Sequence, residues 1–279
     1  MQEPTIKMEN LKDKLRRMGR VVIAFSGGVD STFLVKVAYE VLGKNVIAVT
    51  AASSTYPKTE LEEAKRLARL IGVRHIIVNS EETEVENFKQ NSPNRCYYCK
   101  KELFSRLKEI AKKEKINYVL DGTNYDDLTD FRPGMKALRE LNIISPLKDV
   151  KLTKEDIRNL SKLMNLDTWD KPACACLASR FPYGIRITKE RLDRVEKAEN
   201  VIRNLGIRQL RVRYHNEIAR IEVNKKDMQL LLEHSDSIVK KFKELGFIYV
   251  TLDMEGYRTG SLNEVLRNEG RDRKNVEGF

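Results

Sequence analysis

The stretch from Val21 to Ala38, VVIAFSGGVDSTFLVKVA, constrains the fold more than any other. A β-branched apolar run leads into a glycine turn and then into a helical pattern that opens on Ser31 or Thr32. A continuous apolar strand of this kind is buried on both faces and feeds a crossover helix, which is the unit of a parallel sheet. The pattern repeats. Asn45 to Thr50, His75 to Val78 and Tyr118 to Asp121 read as further strands, with Ile143 to Pro146 as a weaker fifth. Between them, Ser31 to Leu42, Lys58 to Ile71 and Lys101 to Lys113 carry apolar residues at helical spacing. The expectation is an α/β fold, a doubly wound parallel sheet that binds its ligands at the carboxyl ends of its strands. The loops after Phe25, Thr50 and Asp121 are then the places for a site.

A chain of 279 residues is long enough for a second domain. From about residue 150 a short helical pattern precedes an irregular run, DTWDKPACACLASRFPYGIRIT. A helix at Lys189 to Leu205 follows, then strands at Gln209 to Tyr214, Ala219 to Val223 and Phe247 to Leu252. The expected domains are residues 1–149 and a smaller α+β domain at 150–279.

Gly27 and Gly28 let the backbone approach a phosphate, and the first N–H groups of the following helix point at the anion. Ser26 and Ser31 add hydroxyl donors, and Asp30 is placed to hold Mg2+ or to cap the helix. No GK[ST] follows the glycines, so this is not a Walker loop. The plain alternative is a glycine-rich turn with a capping serine. SGGVDS resembles the pyrophosphatase loop of the N-type ATP pyrophosphatases, which split ATP between the α and β phosphates and leave AMP on a substrate oxygen. That likeness implies ATP as cosubstrate and an adenine nucleotide alpha hydrolase-like, PP-loop fold. Ser53, the turn Asp121, Gly122, Thr123, and Arg132 ahead of Pro133 are the other expected ATP contacts, with a simple turn and a surface arginine as their alternatives.

Four cysteines in such a chain argue against a disulfide framework. Cys96 and Cys99, in CYYC at the start of a helix, place two thiols about one turn apart, with Arg95, Lys100 and Lys101 nearby. Cys176 can complete a three-thiolate face, the kind of site that leaves one iron of a [4Fe–4S] cluster open. A zinc site that adds Cys174, or unligated reduced thiols, are the alternatives.

Together these segments resemble the LarE sulfurtransferases nearly from end to end: SGGVDST, RCYYCKKELF, DGTNYDDLTDFRPGMKAL, KPACACLASRFPYG, LRVRYH with ARIEV, and VTLDMEGYRTGS. The resemblance implies adenylation of a carboxylate of a pyridinium biscarboxylic acid mononucleotide and its conversion to a thiocarboxylate. Sulfide or another donor supplies the sulfur. It further implies ligation of the cluster by Cys96, Cys99 and Cys176, with Cys176, Asp30 and Arg180 in catalysis, and a homo-oligomer. Arg211 and Arg213 alternate on one strand and so share a face, where they are placed to hold the mononucleotide phosphate. Ser179, Arg180 and Arg258 are further anion contacts by their match to the motifs. Glu199 and Glu222 are read as metal ligands or as partners that orient these arginines.

Lys and Arg number 52 against 41 Asp and Glu, a formal charge of +11. This favours polyanionic partners, although mixed charge on helix faces gives the same count. No run reaches the roughly eighteen apolar residues of a membrane span, and the N-terminal segment lacks a signal-peptide core, so a cytoplasmic protein with no membrane partner is expected. A tRNA thiolase is the rival reading. It predicts an RNA-binding extension, which the chain lacks, so nucleic acid is not an expected partner. An ammonia-using synthetase would leave the cysteines without a role.

Overall fold

A computed structural model of the chain describes residues 2–80, 82–129, 133–172 and 175–264. It forms two compact units, Met1–Cys174 and Ala175–Phe279.

The first unit runs α1 (Gln2–Met18), β1 (Val21–Ala24), α2 (Val29–Leu42), β2 (Val46–Ala52), α3 (Lys58–Ile71) and β3 (Arg74–Asn79). It continues with α4 (Glu86–Lys89), α5 (Arg95–Lys113), β4 (Tyr118–Leu120), α6 (Gly134–Glu140), α7 (Pro146–Asp149) and α8 (Lys154–Leu163). All four strands are parallel, in the order β3-β2-β1-β4. Side chains alternate across the central strand. Val21 and Ile23 enter one core with Leu11, Leu15, Phe33 and Leu34, while Val22 enters the other with Phe104 and Leu107. Each such buried side chain contributes about 1.5–3 kcal/mol. The sheet is therefore doubly wound, as expected. Because β2 and β4 flank β1, the winding reverses between β1 and β4, and the crevice of such a sheet opens at their carboxyl ends.

Several boundaries differ from expectation. The fifth strand is reduced to one parallel bridge, Leu120 to Ile144, because Pro146 opens α7 at once. The division between units falls after residue 174, where 149 was expected. The physical reason is α8, whose Ile157 and Leu160 join the core of Phe33 and Leu34. A capping box of Thr153 and Asp156 starts that helix.

The second unit contains α9 (Lys189–Arg203), β5 (Leu210–His215), β6 (Ile218–Val223), α10 (Met228–Glu233), α11 (Ser235–Glu244) and β7 (Tyr249–Leu252). β5 pairs antiparallel with β6, and β6 parallel with β7. In this register Arg211 lies opposite Glu222 and Arg213 opposite Arg220, which puts four charged side chains on one face. Among the described residues no helix is long and apolar enough to cross a membrane.

Candidate active site

The phosphate loop joins β1 to α2. Gly27 has φ +61°, and a Cβ there would stand 3.2 Å from Ala64 of α3, so glycine is required both for the turn and for the packing. Gly28 caps α2 with extended backbone and no side-chain hydrogen bond. The hydroxyls of Ser26 and Ser31 lie 3.1 Å apart, and the Ser31 hydroxyl also accepts from the Ser26 N–H at 3.2 Å. The side chain of Asp30 is paired with Lys154 at the start of α8 and accepts from the Asn124 amide at 3.4 Å. Lys154 was not singled out from the sequence, because nothing in its local pattern ties it to a loop so distant in the chain.

The turn after β4 closes against this loop. A Cβ on Gly122 would lie 3.1 Å from the Ser31 nitrogen, so a side chain there would crowd the start of α2. The buried Asp121 accepts from the hydroxyls of Thr123 and Ser145, which braces the turn from within, and the Lys100 ammonium stands 3.9 Å away. Ser53, on the loop after β2, bonds the hydroxyl and N–H of Thr55. Arg132 lies outside the described residues.

Helix α5 begins at Arg95, earlier than the expected Lys101, so Cys96 stands in its first turn and Cys99 at the start of its second. Cys96 is exposed and Cys99 half-buried. Of the nearby cations, Arg95 donates to Asn91, Lys100 reaches toward Asp121, and Lys101 donates to the Tyr97 hydroxyl at 3.2 Å. Cys176, half-buried, belongs to the second unit and precedes the short helical turn Leu177–Arg180. Cys174 lies outside the described residues. Among the described residues no three His, Cys, Asp or Glu side chains are gathered as a metal ion requires.

The second unit holds a network of buried charge. Arg180 and Arg213 are each 2% exposed, and neither is the solvated surface charge that a lone arginine usually is. Arg180 grips Glu199 with Nε at 2.7 Å and an Nη at 3.0 Å, and its other Nη donates to the Ala175 and Cys176 carbonyls. Arg213 grips Glu222 in the same two-pronged way, at 2.9 Å on both oxygens, and donates to the Ser179 carbonyl and the Ser261 hydroxyl. Arg203 adds to Glu199 and Arg220 to Glu222, each at 3.0 Å. Both carboxylates are thus fully engaged as orienting partners of arginines. Arg258 is held by Asp253, Glu255 and Glu264.

Burial by itself would raise the pKa of Glu199, but the charge and hydrogen bonds of Arg180, then Arg203 and the Val212 N–H, hold it below its ordinary value of 4.5. A carboxylate depressed in the folded state stabilises fully above its unfolded value, and that stabilisation is lost as pH falls through the folded one. Denaturation of the second unit should therefore become easier below about pH 4. Glu199→Gln, followed by amide exchange in β5, should be less stable at neutral pH and show a flatter acid response. An unchanged acid response in that variant contradicts the assignment.

Arg211 stands apart. It is 8% exposed, its guanidinium lies 4.8 Å over the Tyr257 ring, and among the described residues no carboxylate pairs with it. Burial first, and the like charges of Arg213 and Arg180 after it, lower its pKa. A nearly buried cation beside two others that are already neutralised is an electrostatic arrangement that an anion would complete. Tyr257 gave no signal of its own, although it adjoins Arg258 in the GYRTGS segment.

Residues 20–167 match the family model of the arginosuccinate synthase N-terminal HUP domain. An uncharacterized protein of Synechocystis sp. is 46% identical over 262 residues, 93% of this chain and 98% of its own. The pyridinium-3,5-bisthiocarboxylic acid mononucleotide synthase of Lactiplantibacillus plantarum is 39% identical over 261 residues, 93% of this chain and 95% of its own. A component of the glutamine-hydrolysing GMP synthase of Saccharolobus solfataricus is 28% identical over 232 residues, 72% of this chain and 60% of its own.

Proposed function

The chain belongs to the LarE family and carries the ATP-using PP-loop domain, and from that premise we propose that it adenylates a carboxylate of pyridinium-3,5-biscarboxylic acid mononucleotide and converts it to a thiocarboxylate, in the making of a nickel-pincer nucleotide. The observation that carries this reading is Arg211, a nearly buried guanidinium without a carboxylate among the described residues. A phosphate monoester is the anion that a cluster of arginines suits best. Arg211, Arg213, Arg180 and Ser179 would hold it, with Arg258 at the margin.

In the first step a carboxylate oxygen of the substrate attacks the α-phosphorus of ATP. The bond from that phosphorus to the bridging oxygen breaks, and pyrophosphate leaves with the electron pair. Ser26, Gly27, Gly28 and Ser31 would bind the departing pyrophosphate through hydroxyls and N–H groups, with Ser53, Asp121, Gly122, Thr123 and Arg132 lining the nucleotide site. Asp30 would exchange Lys154 for Mg2+. In the second step sulfur attacks the carboxyl carbon, and AMP leaves with the original oxygen, so the poor leaving group has become a good one.

Thiolates are the donors that a [4Fe–4S] cluster takes, and Cys96 and Cys99 lie about one turn apart at the start of α5, with Cys176 as the third thiol expected from the sequence. Those three residues would hold it, with zinc as the alternative occupant. When bound, the cluster supplies an iron with a position open to sulfide. A cytoplasmic homo-oligomer acting on a small molecule, with no nucleic acid, completes the proposal.

Arg211→Met tests the phosphate assignment. Loss of a charged hydrogen-bonding group should raise the mononucleotide KM about 10- to 100-fold and leave the KM for ATP unchanged. An unchanged mononucleotide KM contradicts it.

A further inference from the structure

Four successive carbonyls at the start of the phosphate loop each accept a hydrogen bond. Thr50 donates its hydroxyl to the Phe25 carbonyl at 2.6 Å, and the Tyr56 hydroxyl reaches the Ser26 carbonyl at 2.5 Å. Lys171 donates to the Gly27 carbonyl at 3.1 Å, while the Gly28 carbonyl accepts from the Ser31 hydroxyl and the Thr32 N–H. The last of these is ordinary helix-start geometry. The first three come from separate places in the first unit: the end of β2, the loop into α3, and the segment after α8.

Two of the anchors, Thr50 and Lys171, are themselves supported. The single Thr50 hydroxyl proton goes to Phe25, so the His75 Nε2 that lies 2.8 Å from Thr50 must carry a proton and donate it. The His75 ring also packs edge-on to Phe25, with centroids 5.6 Å apart. The Lys171 ammonium is shared with Glu60 at 2.7 Å.

A peptide carbonyl carries partial negative charge, and next to Gly27 and Gly28 the peptide planes can turn over at little cost. A carbonyl turned toward a phosphate would repel it, whereas one held from behind leaves only N–H groups to face the anion. We propose that Thr50, Tyr56 and Lys171 are positioning residues for pyrophosphate release: they fasten the carbonyls of Phe25, Ser26 and Gly27, so that the loop presents N–H groups to ATP before ATP arrives. This rests on the reading of the loop as the ATP site. It extends that site to three side chains that need not touch the nucleotide.

Tyr56→Phe and Lys171→Met remove the donors with little change of shape, and Lys171→Arg keeps a cation. Calorimetry with Mg–ATP, steady-state kinetics for both substrates and a thermal midpoint are measured on the full chain. Tyr56→Phe should weaken Mg–ATP binding about 3- to 10-fold and Lys171→Met about 10-fold or more, with the mononucleotide KM unchanged in both and the midpoint unchanged in Tyr56→Phe. Lys171→Arg should recover most of the affinity. Wild-type affinity for Mg–ATP in both Tyr56→Phe and Lys171→Met overturns the inference, as does a loss shared equally by the two substrates. Failure of the unaltered protein to bind Mg–ATP would overturn the ATP-site reading itself, and the inference with it.

Discussion

Alanine in place of Glu222 should destabilise the second unit by about 3–5 kcal/mol. Glu222 is wholly buried and accepts both prongs of Arg213, itself 2% exposed, and a further hydrogen bond from Arg220. Among the described residues, the truncation leaves the Arg213 guanidinium in a dry interior with only the Ser179 carbonyl and the Ser261 hydroxyl. Desolvation of that charge, rather than the loss of two hydrogen bonds, sets the size of the effect. Amide exchange in β5 and β6 reads it for the second unit alone. The double variant Glu222→Leu with Arg213→Met removes both charges and fills similar volume, and should recover most of the loss. A single variant within about 1 kcal/mol of the unaltered protein would show that the pair is not the buried ion pair described.

Cys176→Ser is expected to lower thiocarboxylate formation on the order of 1000-fold or more, because a serine hydroxyl neither carries sulfur nor ligates iron as a thiolate does. Serine keeps the backbone, whose Cys176 carbonyl accepts from Arg180 and from the Ser179 N–H. Activation of the substrate should survive. Exchange of labelled pyrophosphate into ATP, dependent on the mononucleotide, should stay within about 3-fold of the unaltered rate, since it needs only the phosphate loop and the arginine site. Cys96→Ser and Cys99→Ser should fall with Cys176→Ser if the three share a cluster. If they stay active while Cys176→Ser does not, the transferred sulfur is the cysteine's own. Full sulfur transfer by Cys176→Ser contradicts the role altogether.

The doubly wound sheet was legible because strands buried on both faces have no choice of residue. VVIAF is apolar throughout and NVIAVT is so from Val46 to Val49, and the glycine turn between β1 and α2 admits few other backbones. The place where the units divide was not. Composition changes near residue 150, but α8 still presents Ile157 and Leu160 to the core of the first unit, and a change in composition does not reveal which side a helix packs on. Charge was readable by position but not by partner. Arg211 and Arg213 could be put on one face from their alternation alone. That Glu222 neutralises Arg213 and leaves Arg211 over an aromatic ring depends on a strand register no local pattern specifies. The carbonyl anchors were invisible for a related reason. Thr50, Tyr56 and Lys171 act on backbone atoms far away in sequence, and a side chain that holds a carbonyl leaves no motif.

The most direct test of the central claim is a single-turnover reaction. Anaerobically prepared protein is mixed with sulfide, Mg–ATP and pyridinium-3,5-biscarboxylic acid mononucleotide, without RNA, and the products are read by mass spectrometry. The account predicts AMP, pyrophosphate and a mononucleotide thiocarboxylate, with AMP and thiocarboxylate in equal amounts. ADP in place of AMP, or AMP that forms only when tRNA is supplied, would contradict it.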